Sequence, residues 1–568
     1  MDAATGNGSE RPLSIVAGPP LSEEPGLGPL TLPGFLREVT EMYGDREAVV
    51  LRGPDGTVRW TYAELWERAM EVARALRACG LGKDGRVGVL MTNRPEWIAA
   101  VFGVSLAGGV AVTLSTFSTP PELDHLLQVS CVSVLLFERT VLKTDFAAVL
   151  TGLEPEIGTA APGGLRSARY PYLRHLAAIG DAAPDGAVDA WDAFLARGVA
   201  EPRELVEAAA AATRPGDPAV LFFSSGSTSR PKGILSAHRG VCVQMWRFRR
   251  LYGFGPEDGV RGWTANGYFW SGNFAMSLGS TLAAGGALVL QPTFDAAEAL
   301  DLIQAERVNF PFAWPHQWAQ FEAAPNWADA DLSGLRFVDH ATPVARHPTV
   351  TTVWYEPGRA YGNTETFTIS TCYPADTPPE VHAGSSGVPL PGVTVKIVDP
   401  LTGAVVPRGE RGEICVKGPT LMLCYLGTPL DETVDGEGFF HTGDGGRLDD
   451  AGRLYWEGRL TDIIKTGGAN VSPREVDEAA SAHPGVRLAQ TVGVPHETLG
   501  EVVVTCVVPH DGRTLEAHEL RTFLRERLAS YKVPRHVLFF RQDEIALTGT
   551  AKIKSSDLRE LAAARLGP

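Results

Sequence analysis

Apolar and polar positions in the first quarter of the chain alternate between the spacing of helices and that of buried strands. The capping-box sequence Thr61–Glu64 precedes apolar residues at helical spacing, which predicts a helix through Cys79. Short apolar runs and helical patterns then follow in turn, predicting strands at 86–91, 110–114 and 132–137 and helices at 95–106 and 121–127. This alternation is typical of a parallel sheet covered by helices.

The pattern changes further along the chain. Residues 151–218 are rich in Ala, Gly and Pro and predict a peripheral helical excursion, whereas 384–399 and 412–418 alternate like short antiparallel strands. Beyond residue 459, two helical and two strand patterns predict a compact α+β unit, at 474–482, 486–494, 502–508 and 516–530. The expected fold class is α/β, with parallel sheets covered by helices, a small antiparallel subdomain and a small C-terminal α+β domain.

Length and composition indicate more than one domain. With 568 residues, of which 44% are hydrophobic and 21% charged, the chain is too long for a single core and ordinary for a globular protein. Gly, Pro, Ser and Glu dominate the start of the chain, which predicts a flexible tail over residues 1–29. We expect a large domain over 30–458 and a small one over 459–568.

Charge, cysteine use and hydropathy exclude several classes of protein. A formal net charge of −16 argues against sequence-independent binding to nucleic acid or to an anionic membrane surface. The 7 cysteines are scattered without a CxxC pair, which argues against a disulfide framework or a zinc site. The N-terminus lacks the features of a secretory signal, and no apolar run is long enough to span a membrane. We therefore expect a cytoplasmic protein without integral membrane association.

The stretch 221–240 contains a candidate phosphate-binding loop. It follows a predicted buried strand and consists of small and hydroxyl residues before a lysine: Ser224, Ser225, Gly226, Ser227, Thr228, Ser229 and Lys232. Small residues let backbone N–H groups and hydroxyls approach a polyanion, and the lysine adds a positive charge. The spacing is that of a P-loop, but Pro231 and Gly233 replace residues that a P-loop requires. An ordinary surface turn is the alternative interpretation.

Four further motifs follow in order: YGNTE at Tyr361–Glu365, TGD at Thr442–Asp444, GRLTDIIKTGGANVSP at Gly458–Pro473 and TGTAKIK at Thr548–Lys554. Each alone is compatible with a strand end, a turn or a basic surface segment. The five motifs together, in this order and at these intervals, resemble the ANL superfamily of adenylate-forming enzymes, and in particular its acyl- and aryl-CoA synthetases. The resemblance extends from about Leu30 to the C-terminus.

The resemblance implies two half-reactions and a mobile C-terminal domain. ATP and a carboxylic acid give acyl-AMP and pyrophosphate, and a thiol then attacks the activated carbonyl and releases AMP. Rotation of the small domain brings a second set of residues to the site, including Gly467 and Gly468 in a thiol tunnel. The implied hinge is Thr461, with Asp462 as the alternative, because a hinge needs tolerant backbone angles rather than a given side chain.

The implied ATP-binding residues come from all five motifs. They are Ser224, Ser225, Gly226, Ser227, Thr228, Lys232, Tyr361, Gly362, Asn363, Thr364, Glu365, Asp444, Arg459 and Lys552. By resemblance, Tyr361 stacks on adenine, Thr364 contacts phosphate, and Asp444 binds the ribose. Thr228, Glu365 and Lys552 are implied to be catalytic, with Glu365 as the Mg²⁺ ligand.

The role implied for Lys552 has a simple electrostatic basis. Adenylation brings two anions together, and a cation between them stabilises the charge that grows on the phosphoryl oxygens. The chain departs from the usual family pattern at Ala551, Ala546, Ser229 and Thr461. If the motif is shifted by two residues, Lys554 is the alternative catalytic lysine.

The implied acyl pocket is aromatic. Its candidate residues are Trp263, Tyr268, Trp270, Phe274 and Trp314. Buried aromatic residues are more often simply core. No acidic residue lies between Tyr268 and Phe274, which favours a plain hydrophobic acid, whether fatty, aryl or alicyclic, over an amino acid. His238, His340 and His441 are predicted to be structural or solvent-facing.

The thiol acceptor is left open by the sequence. CoA is the simplest acceptor, and an acyl carrier protein supplied in trans is the alternative. Adenylate formation without thioester formation and luciferase-like oxidation are more distant alternatives. A non-catalytic nucleotide-binding protein on the same fold is the competing class.

Overall fold

The computed structural model describes residues 11–54, 56–180, 186–224, 231–382, 384–462, 464–466, 469–496, 499–510, 512–513, 515–528, 532–541, 544 and 555–567. The chain divides into two compact units. The large unit consists of residues 17–394 and 416–440, and the small unit of 1–16, 395–415 and 441–568. Within the described part of the chain, every helix is too short or too polar to cross a membrane.

The large unit is built on two sheets. The first has eight strands, in spatial order Val188–Ala190, His175–Ile179, Val134–Glu138, Arg86–Leu90, Val110–Thr113, Pro218–Ser224, Lys232–Ala237 and Cys424–Tyr425. Its first six strands are parallel, and the last two run antiparallel to their neighbours. The second has five strands, of which only the last pairs antiparallel: Phe310–Phe312, Arg261–Thr264, Ala287–Leu290, Glu47–Gly53 and Gly56–Thr61.

Helices connect these strands. Those of seven or more residues are Leu32–Tyr43, Tyr62–Ala78, Pro95–Leu106, Pro120–Ser130, Phe146–Leu153, Trp191–Arg197, Arg203–Ala212, His238–Leu251, Ala296–Ala305 and Pro315–Glu322. The capping box at Thr61 is present, with the Thr61 side chain accepting from the Glu64 N–H and the Glu64 carboxylate accepting from the Thr61 N–H. The predicted class of parallel sheets covered by helices is confirmed.

The small unit contains two further sheets. One joins the strands Ile15–Ala17, Thr394–Val398, Gly412–Lys417, Phe440–Leu448 and Leu454–Arg459, whose ends reach the unit boundary. The other joins Ala469–Val471, Ile464–Thr466, Gly500–Pro509 and Val486–His496, with His536–Phe539 also paired to Gly500–Pro509. Its helices are Pro473–Ser481, Ala517–Arg525 and Ser555–Leu566. The predicted domain boundary after residue 458 stays a prediction, because the compact units group 395–415 and 441–458 with the C-terminal residues.

Two expectations from composition do not hold. Residues 11–29 are ordered: they include the strand Ile15–Ala17, and the Glu24 side chain is fully buried, so no flexible tail extends over them. The excursion at 151–218 contains the expected helices, Trp191–Arg197 and Arg203–Ala212, but it also contributes the strands His175–Ile179 and Val188–Ala190 to the parallel sheet. Both strands are short and rich in alanine, so their hydrophobic signal is weak.

Candidate active site

The candidate phosphate loop connects two strands of a β-hairpin. The strand Pro218–Ser224 pairs antiparallel with Lys232–Ala237, and Ser224 lies opposite Lys232. Residues 225–230, which include Ser225, Gly226, Ser227, Thr228 and Ser229, lie outside the described residues. A P-loop leads from a strand into a helix, so this strand-to-strand connection explains why the P-loop identities fail here. The connection therefore differs from a P-loop in its flanking elements, although the spacing of its residues is similar.

Lys232, Tyr425 and Glu365 lie together beside this hairpin. The Lys232 Nζ lies 5.2 Å from the centroid of the Tyr425 ring, within cation–π range. The Tyr425 hydroxyl donates to Glu365 Oε1 at 2.6 Å, and the Met422 N–H donates to the Glu365 carbonyl at 2.7 Å. Sheet pairing fixes the tyrosine, because Tyr425 lies opposite Ile234 on the strand that Lys232 begins. The structure thus brings two of the predicted residues, Lys232 and Glu365, onto one unpredicted tyrosine.

The YGNTE segment is held by hydrogen bonds of its own turn. The Thr366 N–H donates to Asn363 Oδ1 at 2.9 Å, and the Asn363 N–H donates to Thr366 Oγ1 at 3.1 Å. Gly362 is required by packing, because a Cβ there would lie 2.1 Å from the Thr368 carbonyl oxygen. Tyr361 is 3% exposed, so its ring is buried, and its stacking on adenine stays a prediction.

A buried glutamine supports the same segment from the helix His238–Leu251. The Gln244 Nε2 donates to the carbonyl oxygens of Phe367 and Ile369 at 2.7 and 2.8 Å. Phe367 and Thr368 both have positive φ, at 48° and 84°, which side-chain-bearing residues adopt only when their surroundings hold them. Gln244 therefore fixes a strained turn directly after Glu365. No sequence motif marks it, since its partners are carbonyl groups more than a hundred residues away.

The Glu365 carboxylate is compatible with binding Mg²⁺, a role that stays a prediction. Tyr425 occupies one carboxylate oxygen, and among the described residues the other, Oε2, makes no hydrogen bond. Mg²⁺ is commonly held by one or two carboxylates together with phosphate oxygens. The half-buried Glu365 offers such an oxygen while Tyr425 fixes the orientation of the carboxylate.

Asp444 and Arg459 are cross-strand neighbours in the small unit. They lie opposite one another in the strands Phe440–Leu448 and Leu454–Arg459, and Arg459 Nε lies 3.0 Å from Asp444 Oδ1. Arg459 also donates to the Thr442 carbonyl at 2.8 Å, and the Asp444 N–H donates to Thr442 Oγ1 at 3.1 Å. Asp444 therefore lies within a strand rather than in the predicted turn, and Gly443, with φ of 70°, supplies the local irregularity. Ribose binding by Asp444 stays a prediction.

The remaining C-terminal predictions fall largely outside the described residues. Gly467, Gly468, Ala546, Ala551, Lys552 and Lys554 all lie outside them. The hinge candidates Thr461 and Asp462 are in the short 3-10 helix Leu460–Asp462, directly after Arg459. A short helix between two sheets is compatible with a hinge, which stays a prediction.

The five predicted acyl-pocket residues do not form a single group. Tyr268 and Phe274 both pack on Trp97, with ring centroids 5.7 and 6.0 Å apart. Trp263 instead packs against Phe321 in a separate core cluster. Trp270 is half-buried, and Trp314 is 41% exposed.

Of these five residues, Phe274 has direct ring contacts with the segments that carry the phosphate-binding motifs, and Tyr268 adjoins it through Trp97. Phe274 begins the π-helical segment Phe274–Gly279, and such segments are frequent at functional sites. Phe274 also contacts Phe222, in the strand before the phosphate loop, and Phe367, in the turn after Glu365. The aromatic cluster thus lies directly behind both motifs. Tyr268 is fixed by Asn93, whose Oδ1 accepts from the Tyr268 N–H at 3.0 Å.

Glu356 lies in the segment that leads to Tyr361 and has an unusual ionisation. Burial raises its pKa to about 7, and the neighbouring Asp339 carboxylate adds to the effect. Asp339 Oδ2 accepts from the Glu356 N–H at 2.9 Å, so the two acidic residues are held side by side. The folded state therefore favours the protonated form of Glu356.

This ionisation predicts a pH-dependent stability. A raised pKa means that the folded chain binds this proton more tightly than the unfolded chain does. The stability that Glu356 contributes is therefore full below its ordinary pKa of 4.5 and is lost as the pH rises through about 7. We expect Glu356→Gln to increase the free energy of unfolding at pH 8 by up to about 3 kcal/mol, and so to raise the melting temperature. At pH 4 the variant should have little effect. Melting curves at both pH values, with Glu380→Gln at an exposed position as the control, measure this. Equal shifts at both pH values would contradict the assignment.

Comparisons with known proteins match both units. A family model for the AMP-binding enzyme matches residues 36–426, and one for the AMP-binding enzyme C-terminal domain matches 475–552. A feruloyl-CoA synthase of Amycolatopsis sp is 33% identical over 517 residues, covering 89% of this chain and 94% of that protein. An indoleacetate–CoA ligase of Aromatoleum aromaticum is 31% identical over 510 residues, covering 89% and 93%.

A solved structure has the same fold. The anthranilate CoA ligase AuaEII, in complex with anthranoyl-AMP, superposes with a TM-score of 0.75 at 24% identity, covering 96% of this chain and 99% of that one. The chain therefore belongs to the AMP-binding enzyme family, within the ANL superfamily of adenylate-forming enzymes. It is an AMP-forming acid–thiol ligase.

Proposed function

We propose that this enzyme activates a hydrophobic carboxylic acid with ATP and transfers the acyl group to CoA. The observation that carries the proposal is the arrangement of Lys232, Tyr425 and Glu365 beside the hairpin, which combines a cation with an oriented carboxylate. A triphosphate between them would meet a positive charge from one side and a metal-binding oxygen from the other. ATP and CoA are the substrates that the family implies, together with Mg²⁺.

In the first half-reaction, a carboxylate oxygen of the acid attacks the α-phosphorus of ATP. The bond from the α-phosphorus to the bridging oxygen breaks, and pyrophosphate leaves. Lys232 and the hydroxyl loop before it, including Thr228, bind the phosphates, and Lys552 offsets the repulsion between the two anions. Glu365 would hold Mg²⁺, which, when bound, neutralises charge on the phosphate oxygens.

In the second half-reaction, the thiol sulfur attacks the carbonyl carbon of acyl-AMP, and the bond to the AMP oxygen breaks. A free thiol with pKa of ~8.5 is only a few per cent ionised at pH 7, so attack must be coupled to loss of the proton. Rotation about Thr461 would exchange Lys552 for the Gly467–Gly468 segment between the two steps.

The acid is proposed to be hydrophobic, with an aryl, alicyclic or fatty chain. The aromatic cluster of Tyr268, Phe274, Trp97, Phe222 and Phe367 lies behind the phosphate-binding motifs and supports this class. Relatives are named for ferulate and indoleacetate, which are aryl acids, and for medium-chain acyl and alicyclic acids, so their names support the whole proposed class.

Pyrophosphate release with a panel of acids tests the proposal. Ferulate, indoleacetate, benzoate and fatty acids of several lengths should be offered with MgATP, first alone and then with CoA. We expect at least one hydrophobic acid to give pyrophosphate and, with CoA, a thioester. Pyrophosphate without CoA thioester, together with acylation of a carrier protein, would instead support the carrier-protein acceptor. ATP binding without pyrophosphate release for any acid would identify a non-catalytic binder.

The Tyr425 hydroxyl is expected to matter for use of ATP. Tyr425→Phe keeps the ring beside Lys232 but removes the hydrogen bond that orients the Glu365 carboxylate. A hydrogen bond to a charged group contributes about 1.5–3 kcal/mol, so we expect kcat/KM for MgATP to fall by about tenfold or more. Steady-state pyrophosphate release at varied MgATP measures it.

Tyr170→Phe is a matched control for this variant. It also removes a tyrosine hydroxyl from a carboxylate, Asp124, at 2.7 Å, but it lies away from the candidate site motifs in the sequence. We expect its kcat/KM for MgATP to stay at the wild-type value. An unchanged kcat/KM for MgATP in Tyr425→Phe, or an equal loss of kcat/KM in both variants, would contradict the role given to Tyr425.

A further inference from the structure

A cysteine, a histidine and a glutamate come together in the small unit, next to the TGD motif at Thr442–Asp444. Glu413 and Cys415 occupy alternate positions of the strand Gly412–Lys417, and His441 lies on the neighbouring strand Phe440–Leu448. His441 Nδ1 lies 2.9 Å from Glu413 Oε2 and 3.5 Å from Cys415 Sγ. One ligand atom from each residue lies within 4.8 Å of the other two.

One of the two printed distances is that expected around a tetrahedral ion, and the other is shorter. Zinc binds thiolate sulfur at about 2.3 Å and imidazole nitrogen or carboxylate oxygen at about 2.0 Å, which places ligand atoms about 3.3–3.8 Å apart. The observed sulfur-to-nitrogen distance of 3.5 Å is already in this range, and the nitrogen-to-oxygen distance of 2.9 Å needs only a small opening. The donor set of sulfur, imidazole and carboxylate is one that zinc accepts.

The surroundings also hold two of the three ligands in place. Glu413 uses its other oxygen, Oε1, to accept from the Gly443 N–H at 2.9 Å, which is the kind of outer contact that orients a metal-binding carboxylate. The Cys415 side chain is buried, whereas the His441 side chain is 39% exposed. An ion can therefore reach the cluster from the His441 side.

We propose that Glu413, Cys415 and His441 form a binding site for a divalent cation of the zinc type. The sequence argued against a zinc site because it has no closely spaced cysteine pair. In the structure, the three candidate ligands are instead one cysteine, one histidine and one glutamate. The inference does not depend on the acid or on ATP turnover.

Cobalt substitution of the purified full chain tests the site. The metal-stripped protein should be titrated with Co²⁺ alone at pH 8, with the near-ultraviolet and visible spectrum as the readout. We expect uptake of one equivalent with a thiolate-to-cobalt charge-transfer band, the visible bands of a tetrahedral ion, and loss of both on adding Zn²⁺.

Three variants locate the site. Cys415→Ala should abolish the charge-transfer band, and His441→Ala, at a partly exposed position, should weaken Co²⁺ binding at least tenfold. Cys506→Ala removes another buried cysteine and should leave the spectrum unchanged. Melting temperatures of all three establish that they fold. Absence of stoichiometric uptake by the wild-type protein, or a band that survives Cys415→Ala, would overturn the proposal and leave a hydrogen-bonded network.

Discussion

Lys552→Ala is expected to lower the rate of acyl-AMP formation by about 10²–10³-fold and to leave thioester formation from supplied acyl-AMP largely intact. The physical reason is the approach of two anions in the first half-reaction only, since the carboxylate and the α-phosphate repel each other until a cation lies between them. Loss of one such group typically costs about 2.7–4 kcal/mol of transition-state stabilisation. In the second half-reaction the acid is already joined to AMP, so its carboxylate no longer has to approach the α-phosphate and the same cation is not needed.

Two separate assays measure this division. Pyrophosphate release in a single turnover with acid and MgATP reports the first step, and CoA thioester formation from synthetic acyl-AMP reports the second. Lys554→Ala is the matched control, two residues along the same motif, and should retain both activities. Equal loss of the two half-reactions in Lys552→Ala would contradict the assignment. Loss of the first step only in Lys554→Ala would move the role to that residue.

Glu24→Ala is expected to destabilise the large unit by about 3–5 kcal/mol. Glu24 accepts three hydrogen bonds from Arg247: from Nε to Oε1 at 2.9 Å, from Nε to Oε2 at 3.2 Å and from Nη2 to Oε2 at 2.6 Å. Neither side chain is exposed to solvent. Removing the carboxylate leaves the guanidinium buried without its counter-charge. Urea denaturation followed by tryptophan fluorescence measures the loss as a lower midpoint of the transition.

Two further variants separate the buried charge from simple loss of packing. The double variant Glu24→Leu with Arg247→Met replaces the pair by apolar side chains and should recover most of the stability, because no charge is left unpaired. Arg250→Ala removes a partly exposed partner of the same carboxylate, at 3.1 Å, and should cost less than about 1 kcal/mol. A wild-type midpoint for Glu24→Ala would contradict the role of the pair.

Where the signals are local, the sequence predicted the fold closely. The helix expected at 95–106 is observed as Pro95–Leu106, and the capping box at Thr61 begins a helix as predicted. A helix start depends on residues within one turn, and a buried strand on its own apolar run, so both can be recognised without the partner. Strand identity was lost where the runs are short and rich in alanine, as in His175–Ile179.

Contacts between distant segments could not be predicted. Tyr425 meets Glu365 across 60 positions, Gln244 meets Phe367 across 123, and Glu24 meets Arg247 across 223. Each contact depends on which strands and helices are neighbours in the fold. The residue type of a single tyrosine or glutamine does not indicate which distant segment it will contact. Composition was misleading around Glu24, because this Gly- and Pro-rich stretch contains a paired strand and a buried glutamate with two arginine partners.

The sequence by itself determined the class of this enzyme. Five motifs resemble those of other members of the superfamily and occur here in the same order. Each motif is a short contiguous stretch, so it can be recognised without knowing the fold. Tertiary structure alone decided how the motifs are supported: Tyr425 orients Glu365, and Gln244 holds the strained turn. It also brought Glu413, Cys415 and His441 together. These arrangements depend on the pairing of strands and helices that are remote in the chain, and only folding brings them together.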